Sequence, residues 1–101
     1  MDPYSSESTS TWTFLTNHSH VLLVIAADPN ARVRDIAEVV GITERAVQRI
    51  VHDLAEAGYL DVEKQGRRNH YEVDADKHLR HPVERHHTVN DLLALGRGPT
   101  G

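Results

Sequence analysis

The 101-residue sequence contains no cysteine, which excludes disulfide bonds, thiolate metal sites, thiol redox sensors and cysteine nucleophiles. Aromatic residues are scarce: Trp12 is the only tryptophan and Phe14 the only phenylalanine. We therefore expect an aliphatic core of short packed helices, with Trp12 and Phe14 covering its edge. The longest apolar run, 21–27, is too short to span a bilayer, and the N-terminus lacks the basic region of a leader, so the sequence predicts a soluble, cytoplasmic protein.

Signals of catalysis are also missing. The sequence has no glycine-rich phosphate loop and no pair of carboxylates set in an apolar pattern. Its first serines fall within residues 1–11, a segment with almost nothing apolar to bury, which we predict to be a flexible tail. The length allows one small domain rather than a cleft between domains. We therefore expect no enzymatic activity and no cofactor.

The most informative stretch is 41–60, GITERAVQRIVHDLAEAGYL, which predicts a helix that is capped at both ends. Thr43 is a good N-cap because its hydroxyl can accept a hydrogen bond from the first turn. Gly58 can adopt the left-handed conformation that follows a helix end. Apolar residues at three- and four-residue steps form one stripe: Ala46, Val47, Ile50, Val51 and Leu54. The opposite face carries hydrogen-bond donors: Arg45, Gln48, Arg49 and His52.

Two shorter helices are predicted before this stretch. The first runs to about Ala27 after a cap at Thr16 or Asn17, and it stops at the turn-forming run 28–30. The second runs from about Val33 or Arg34 to Val40 and is joined to the third helix by a short turn that contains a glycine. Two helices joined in this way are typical of a helix-turn-helix.

A β-hairpin is predicted after the third helix. Residues 59–63 and 69–73 alternate apolar and polar side chains, as half-buried strands do, and a turn at 65–68 separates them. Such a hairpin directly behind a helix-turn-helix is a wing. The sequence therefore predicts a mainly α fold with a small antiparallel β-hairpin: a winged helix-turn-helix domain over 12–80, with a three-helix core and a wing, followed by a C-terminal helix.

This arrangement resembles the winged helix-turn-helix transcriptional regulators of the MarR and ArsR kind. The resemblance rests on DIAEVVGITERAVQRIVHDLAEAGYL, followed by a strand, a Gly-Arg-Arg tip and a second strand that ends in Tyr71 and Val73. It covers residues 15–73. It implies a transcriptional regulator that binds double-stranded DNA sequence-specifically as a homodimer, with the third helix in the major groove and the wing on the backbone or minor groove.

We predict DNA contacts from both the third helix and the wing. Arginine can bind guanine, and glutamine can bind adenine, through paired hydrogen bonds in the major groove. The candidates on the third helix are Thr43, Arg45, Gln48, Arg49 and His52. The candidates on the wing are Lys64, Arg67 and Arg68, and Arg34 is a further candidate for a phosphate contact. The formal net charge of −4 argues against indiscriminate coating of nucleic acid.

A last helix is predicted over 81–96, with Pro82 in its first turn and Gly96 at its end, followed by a tail at 97–101. Its apolar residues predict a dimer interface: Val83, Val89, Leu92 and Leu93. The alternative is that this helix packs on the first helix of its own chain. Four residues of this region have the chemistry of metal ligands: His78, His81, Glu84 and His87.

Two other functions remain open on the sequence. We expect no bound metal, but the histidines and Glu84 leave a metal-responsive repressor as one alternative. The other is a winged helix that binds a protein instead of DNA, which the net acidity and the acidic residues Glu44, Asp53 and Glu56 on the third helix favour. The sequence does not identify a small-molecule or metal effector.

Overall fold

The computed structural model describes residues 12–97, which form the predicted mainly α fold with one antiparallel hairpin. Its helices are α1 (Asn17–Ala27), α2 (Val33–Val40), α3 (Glu44–Glu56) and α4 (Val89–Leu93), the last continued by a 3₁₀ turn at Ala94–Gly96. Its strands are β1 (Leu60–Gln65) and β2 (Arg68–Val73). No helix within 12–97 is long and apolar enough to cross a membrane. The tail predicted at 1–11 and most of the tail predicted at 97–101 lie outside the described residues.

The end of α1 and its start both follow local sequence signals. At the start, the Thr16 hydroxyl accepts a hydrogen bond from the Ser19 backbone N–H at 3.3 Å, as the predicted N-cap should. At the end, Asp28 is extended, with φ of −144°, because the ring of Pro29 disfavours helical angles at the preceding residue. α1 buries Val21, Leu22 and Ile25 in the core.

α2 and α3 form the predicted helix-turn-helix. Gly41 ends α2 in the left-handed conformation, with φ of 85° and ψ of 35°, and its N–H donates to the Ala37 carbonyl at 2.8 Å. Thr43 then caps α3, because its hydroxyl accepts from the Ala46 N–H at 3.0 Å. Ile42 lies between these two caps and packs against the core.

We expect Gly41→Ala to lower the free energy of unfolding by about 1–2 kcal/mol, the cost of left-handed backbone for an L-residue. A Cβ at this position meets nothing within 4 Å, so no steric clash adds to the cost. Urea unfolding of the variant would measure the change. Glu38→Ala, at an exposed position of the same helix, is the control and should change little. Equal unfolding midpoints for Gly41→Ala and the wild type would contradict the prediction.

Two tyrosines complete a core that is otherwise aliphatic. Tyr59 and Tyr71 are 7% and 2% exposed, and the Tyr59 hydroxyl donates to the His78 carbonyl at 2.7 Å. The expectation for Trp12 and Phe14 was wrong: they are 70% and 92% exposed and contact each other edge to face, with ring centroids 5.0 Å apart. The buried tyrosines close the core in their place.

The wing is a tight hairpin held to the core at its base. Gln65 pairs with Arg68, which leaves Gly66 and Arg67 as a two-residue turn. Gly66 has φ of 65° while Arg67 has a negative φ, the pattern of a type II′ turn, in which glycine takes the first central position. Tyr71 fixes the base, because it is buried and its N–H donates to the Pro29 carbonyl at 2.9 Å.

The C-terminal helix is much shorter than the predicted 81–96, since residues 82–86 form turns and α4 begins only at Val89. An antiparallel bridge between His78 and Thr88 holds the preceding chain, and the Val89 N–H donates to the Lys77 carbonyl at 2.8 Å. The Thr88 N–H donates to the Asp91 carboxylate at 3.1 Å, which caps the helix at this point. These bonds outweigh the local preference of Pro82 for a helix start.

α4 packs on α1 of its own chain, as in the second of the two predicted arrangements, and does not serve only as a contact for a partner chain. Val89 is fully buried, so it belongs to the core of one chain and is not exposed to a partner. Leu92 and Leu93 are partly buried against the same core. Of the four predicted interface residues, Val83 alone is largely exposed, at 72%.

Candidate nucleic-acid interface

The exposed face of α3 presents every donor that the sequence predicts for it. All five are exposed: Thr43, Arg45, Gln48, Arg49 and His52. The opposite face is buried through Val47, Ile50 and Leu54, so the helix cannot rotate without exposing the core. Within residues 12–97, no carboxylate lies within 4.0 Å of the Arg45 or Arg49 guanidinium. Both cations are therefore available to an anionic or hydrogen-bonding partner.

Gln48 and His52 face the wing. They line a cleft of about 320 Å³ between α3 and the hairpin, with Val62 and Asn69 on its other side. A ligand that lies along α3 can therefore contact the helix and the wing at once.

A second cleft, of about 370 Å³, separates the wing from the start of α2 and is strongly basic. Its cationic side chains are Arg32, Lys64, Arg67 and Arg68. It adjoins the first cleft, because Val33, Asn69 and Tyr71 line both. The wing cations thus lie where the sequence predicts them, and they form one surface with the polar face of α3.

Arg32 is a member of this cleft that the sequence analysis missed. Its Nε lies 3.6 Å from the Asp35 carboxylate, and both side chains are about half exposed, at 53% and 49%. The residue named instead, Arg34, is exposed on α2 but does not line the cleft. The position of Arg32 in the sequence could have indicated this role. Arg32 directly precedes α2, so its side chain lies at the start of the helix, beside the wing.

Hydrogen bonds fix the wing relative to the helices. The His70 imidazole Nδ1 lies 2.8 Å from the Asn30 side-chain oxygen, which joins β2 to the loop between α1 and α2. The Tyr71 backbone bond to Pro29 acts at the same loop. The basic cleft is therefore bounded by segments that are held together and is not formed by a free hairpin.

The metal-ligand candidates are His78, His81, Glu84 and His87, and the fold does not assemble them. The His81 Nδ1 accepts a hydrogen bond from the Val83 N–H at 3.1 Å, and the His87 Nδ1 lies 3.0 Å from the Asp91 carboxylate. Within 12–97, no group of three or more His, Cys, Asp or Glu side chains is arranged to hold a metal ion. The three histidines make local hydrogen bonds, and nothing in the geometry of the four residues favours a metal-responsive repressor.

The Asp91 carboxylate contacts both the His87 imidazole and the Thr88 backbone N–H, and both contacts favour its charged form. The backbone N–H of Thr88, and next the hydrogen bond with His87, lower the pKa of the Asp91 carboxyl. The carboxylate is thus held charged at the start of α4, where the free N–H groups of a helix favour an anion.

One contact joins α1 to the polar side of α3. The His18 Nε2 lies 2.9 Å from the Asp53 Oδ2, and these residues are 35 positions apart in the chain. The hydrogen bond from His18 lowers the pKa of the Asp53 carboxyl, with smaller contributions from the charges of Arg49 and His52. This contact could not be predicted from the sequence, because it depends on how the two helices pack.

Comparison with known proteins agrees with this geometry. Residues 13–68 match the model of the MarR family, and this segment contains α1, α2, α3 and β1. Among solved structures, the chain is similar to the PcaV transcriptional regulator from Streptomyces coelicolor in complex with its natural ligand, at 26% identity and a TM-score of 0.52.

The likeness to PcaV covers 69% of this chain and 52% of PcaV, so the chain spans about half the length of that protein. A search of curated protein sequences finds no match. The family match extends over more than half of the chain, and the family consists of transcriptional regulators rather than enzymes. The chain belongs to the MarR family.

Proposed function

We propose that the chain is a sequence-specific transcriptional regulator that binds double-stranded DNA, with α3 in the major groove and the wing on the backbone or in the minor groove. The observation that carries the proposal is the pair of exposed arginines, Arg45 and Arg49. They have no carboxylate partner among the described residues, and they share the exposed face of α3 with Gln48 and His52, which line the cleft beside the wing. The major groove admits an α-helix, and arginine can bind the guanine edge there.

The net charge of −4 does not conflict with this function, because the cations are concentrated on one surface. Arg45 and Arg49 lie on α3, while the wing and the start of α2 supply the cations of the basic cleft. A polarised distribution of this kind attracts a polyanion locally even when the whole chain is acidic. It also restricts binding to one face, which is what sequence-specific recognition needs.

The basic cleft yields a quantitative prediction. We expect Arg32→Ala to make the slope of log affinity against log salt shallower by about 0.9, the value for one lost phosphate contact. Arg34→Ala is the matched control, since it removes the same charge from a neighbouring position outside the cleft. Fluorescence anisotropy over a series of salt concentrations measures both slopes. A larger change for Arg34→Ala than for Arg32→Ala would contradict this assignment.

We propose further that the regulator is a homodimer, which would place two α3 helices on two half-sites of the DNA. The support is a largely apolar surface between the start of α1 and α4. Phe14, Leu92 and Leu95 line a groove of about 590 Å³, and Trp12 contacts Phe14. Val83 precedes Glu84, another residue of the groove, and is 72% exposed. Exposed apolar surface of this kind marks interaction sites.

Selection of bound duplexes from a random pool tests both parts of the proposal. A palindromic consensus with half-sites one helical turn apart, about 34–36 Å, is the expected result. A consensus without symmetry would support DNA binding and oppose the homodimer. If no duplex is enriched, and the purified protein binds a specific protein instead, the chain is a winged-helix interaction module.

A further inference from the structure

His18 contacts the polar side of α3 at the border of the proposed DNA surface. It is the second residue of α1, and its Nε2 lies 2.9 Å from the Asp53 Oδ2. The two side chains are 48% and 49% exposed, so the contact lies at the surface and contributes little to the core. Asp53 follows Arg49 by one helical turn on α3. A side chain of α1 therefore acts on the immediate neighbourhood of a proposed DNA contact.

Asp53 is also the natural ion-pair partner of Arg49. It is the only acidic residue three or four positions from Arg49 in the sequence. Side chains four positions apart on a helix face each other, and an aspartate and an arginine at this spacing attract one another. Without another partner for the carboxylate, this ion pair would hold the guanidinium along the helix surface.

In the structure, the Asp53 carboxylate contacts His18 and not Arg49. Asp53 binds His18, and Arg49 has no carboxylate within 4.0 Å among the described residues. Arg49 is nevertheless close by, since it lies four positions before Asp53 on the same helix, the spacing at which side chains are neighbours. His18 and Arg49 thus compete for one carboxylate, and His18 holds it.

We propose that His18 is a positioning residue for DNA binding: it holds the Asp53 carboxylate on the α1 side and so leaves the Arg49 guanidinium free to contact DNA. This inference rests on the proposed DNA-binding function. Loss of His18 has two consequences. The carboxylate pairs with Arg49, and its negative charge is no longer held towards α1 and approaches the DNA phosphates.

The expected effect is modest because the site is exposed. An exposed ion pair at this helical spacing shifts an equilibrium about twofold. Repulsion between the released carboxylate and phosphate adds to this, so we expect His18→Ala to weaken duplex affinity by about threefold. His18→Gln should retain the wild-type affinity, because its side-chain amide can donate to the same Asp53 oxygen.

The test is a set of affinities for the selected duplex, measured by fluorescence anisotropy with the full chain. In the Asp53→Asn background, His18→Ala should have no effect, because no carboxylate remains to capture Arg49. In the Arg49→Ala background it should also lose most of its effect. The matched control is His20→Ala, a histidine of the same helix whose Nδ1 lies 3.2 Å from the Asn17 side chain within α1; it should bind as the wild type does.

Other roles for His18 give different results. If His18 only joined α1 to α3, or contacted phosphate directly, His18→Ala would weaken binding in the Asp53→Asn and Arg49→Ala backgrounds as much as it does in the wild type. Either result overturns the inference, as does wild-type affinity for His18→Ala alone.

A measurement without DNA separates this inference from the proposed function. In ¹⁵N spectra, the Arg49 side-chain Nε–H signal should shift in His18→Ala and return in His18→Ala/Asp53→Asn. An Arg49 signal that does not respond would overturn the inference even if the wild type binds DNA. A wild-type protein that binds no duplex would overturn the proposed function, and the role of His18 in DNA binding with it.

Discussion

The double variant Arg45→Ala/Arg49→Ala is expected to bind the selected duplex about 100-fold more weakly than the wild type. Each paired arginine–guanine contact contributes about 1–3 kcal/mol of discrimination, and about 1.4 kcal/mol corresponds to a tenfold change in affinity. Both arginines are exposed on α3 and have no carboxylate partner within the described residues. DNA binding therefore does not have to break an existing ion pair of either arginine. Fluorescence anisotropy at fixed salt measures the loss.

The control for charge is Arg85→Ala/Arg97→Ala, which removes two exposed arginines of the C-terminal segment that line neither cleft beside α3. Circular dichroism of each variant verifies that the helices remain. Equal losses in both double variants would mean that binding follows total charge and not the face of α3. Undiminished affinity without Arg45 and Arg49 would remove the basis of the proposed recognition.

Replacement of Ile36 by alanine is expected to lower the free energy of unfolding by about 3 kcal/mol. Ile36 is completely buried in α2, and truncation of a buried isoleucine to alanine typically costs about 2–5 kcal/mol through lost burial and the cavity that remains. Domains of this size have a total stability of roughly 5–15 kcal/mol, so the variant should unfold at a much lower urea concentration.

Val39→Ala is the matched control, because it shortens an aliphatic side chain of the same helix that is 71% exposed. It should change the stability by no more than about 0.5 kcal/mol. Similar unfolding midpoints for the two variants would contradict the assignment of Ile36 to the core. Under conditions in which it remains folded, Ile36→Ala should bind DNA nearly as the wild type does, since its side chain contributes no contact to the surface.

The helix-turn-helix and the wing were predictable because short stretches encode them. Thr16 and Thr43 cap helices through hydrogen bonds to residues three positions later. Gly41 and Gly66 occupy backbone conformations that other residues rarely adopt. Each of these signals acts within a few residues, so it can be interpreted without knowing the rest of the fold. The polar face of α3 was predictable for the same reason, since helical periodicity places its donors opposite the apolar stripe.

The C-terminal region shows where such signals fail. Pro82 favours a helix start locally, but the bridge between His78 and Thr88 holds the chain in a loop and delays α4 to Val89. Trp12 and Phe14 were expected to cover the edge of the core, but both are exposed, and Tyr59 and Tyr71 are buried in the core instead. In both cases the outcome depended on which distant segment occupied the available space.

The sequence by itself determined the first three helices, the wing and the exposed donors of α3, because hydrogen bonds and periodicity within one element specify them. Only the tertiary structure decided that Arg32 joins the wing cations in one cleft and that His18 reaches Asp53. It also decided that Val89 belongs to the core and not to an exposed interface. The physical reason is that these relations join residues of different elements, and their distances are set by how the helices and the hairpin pack.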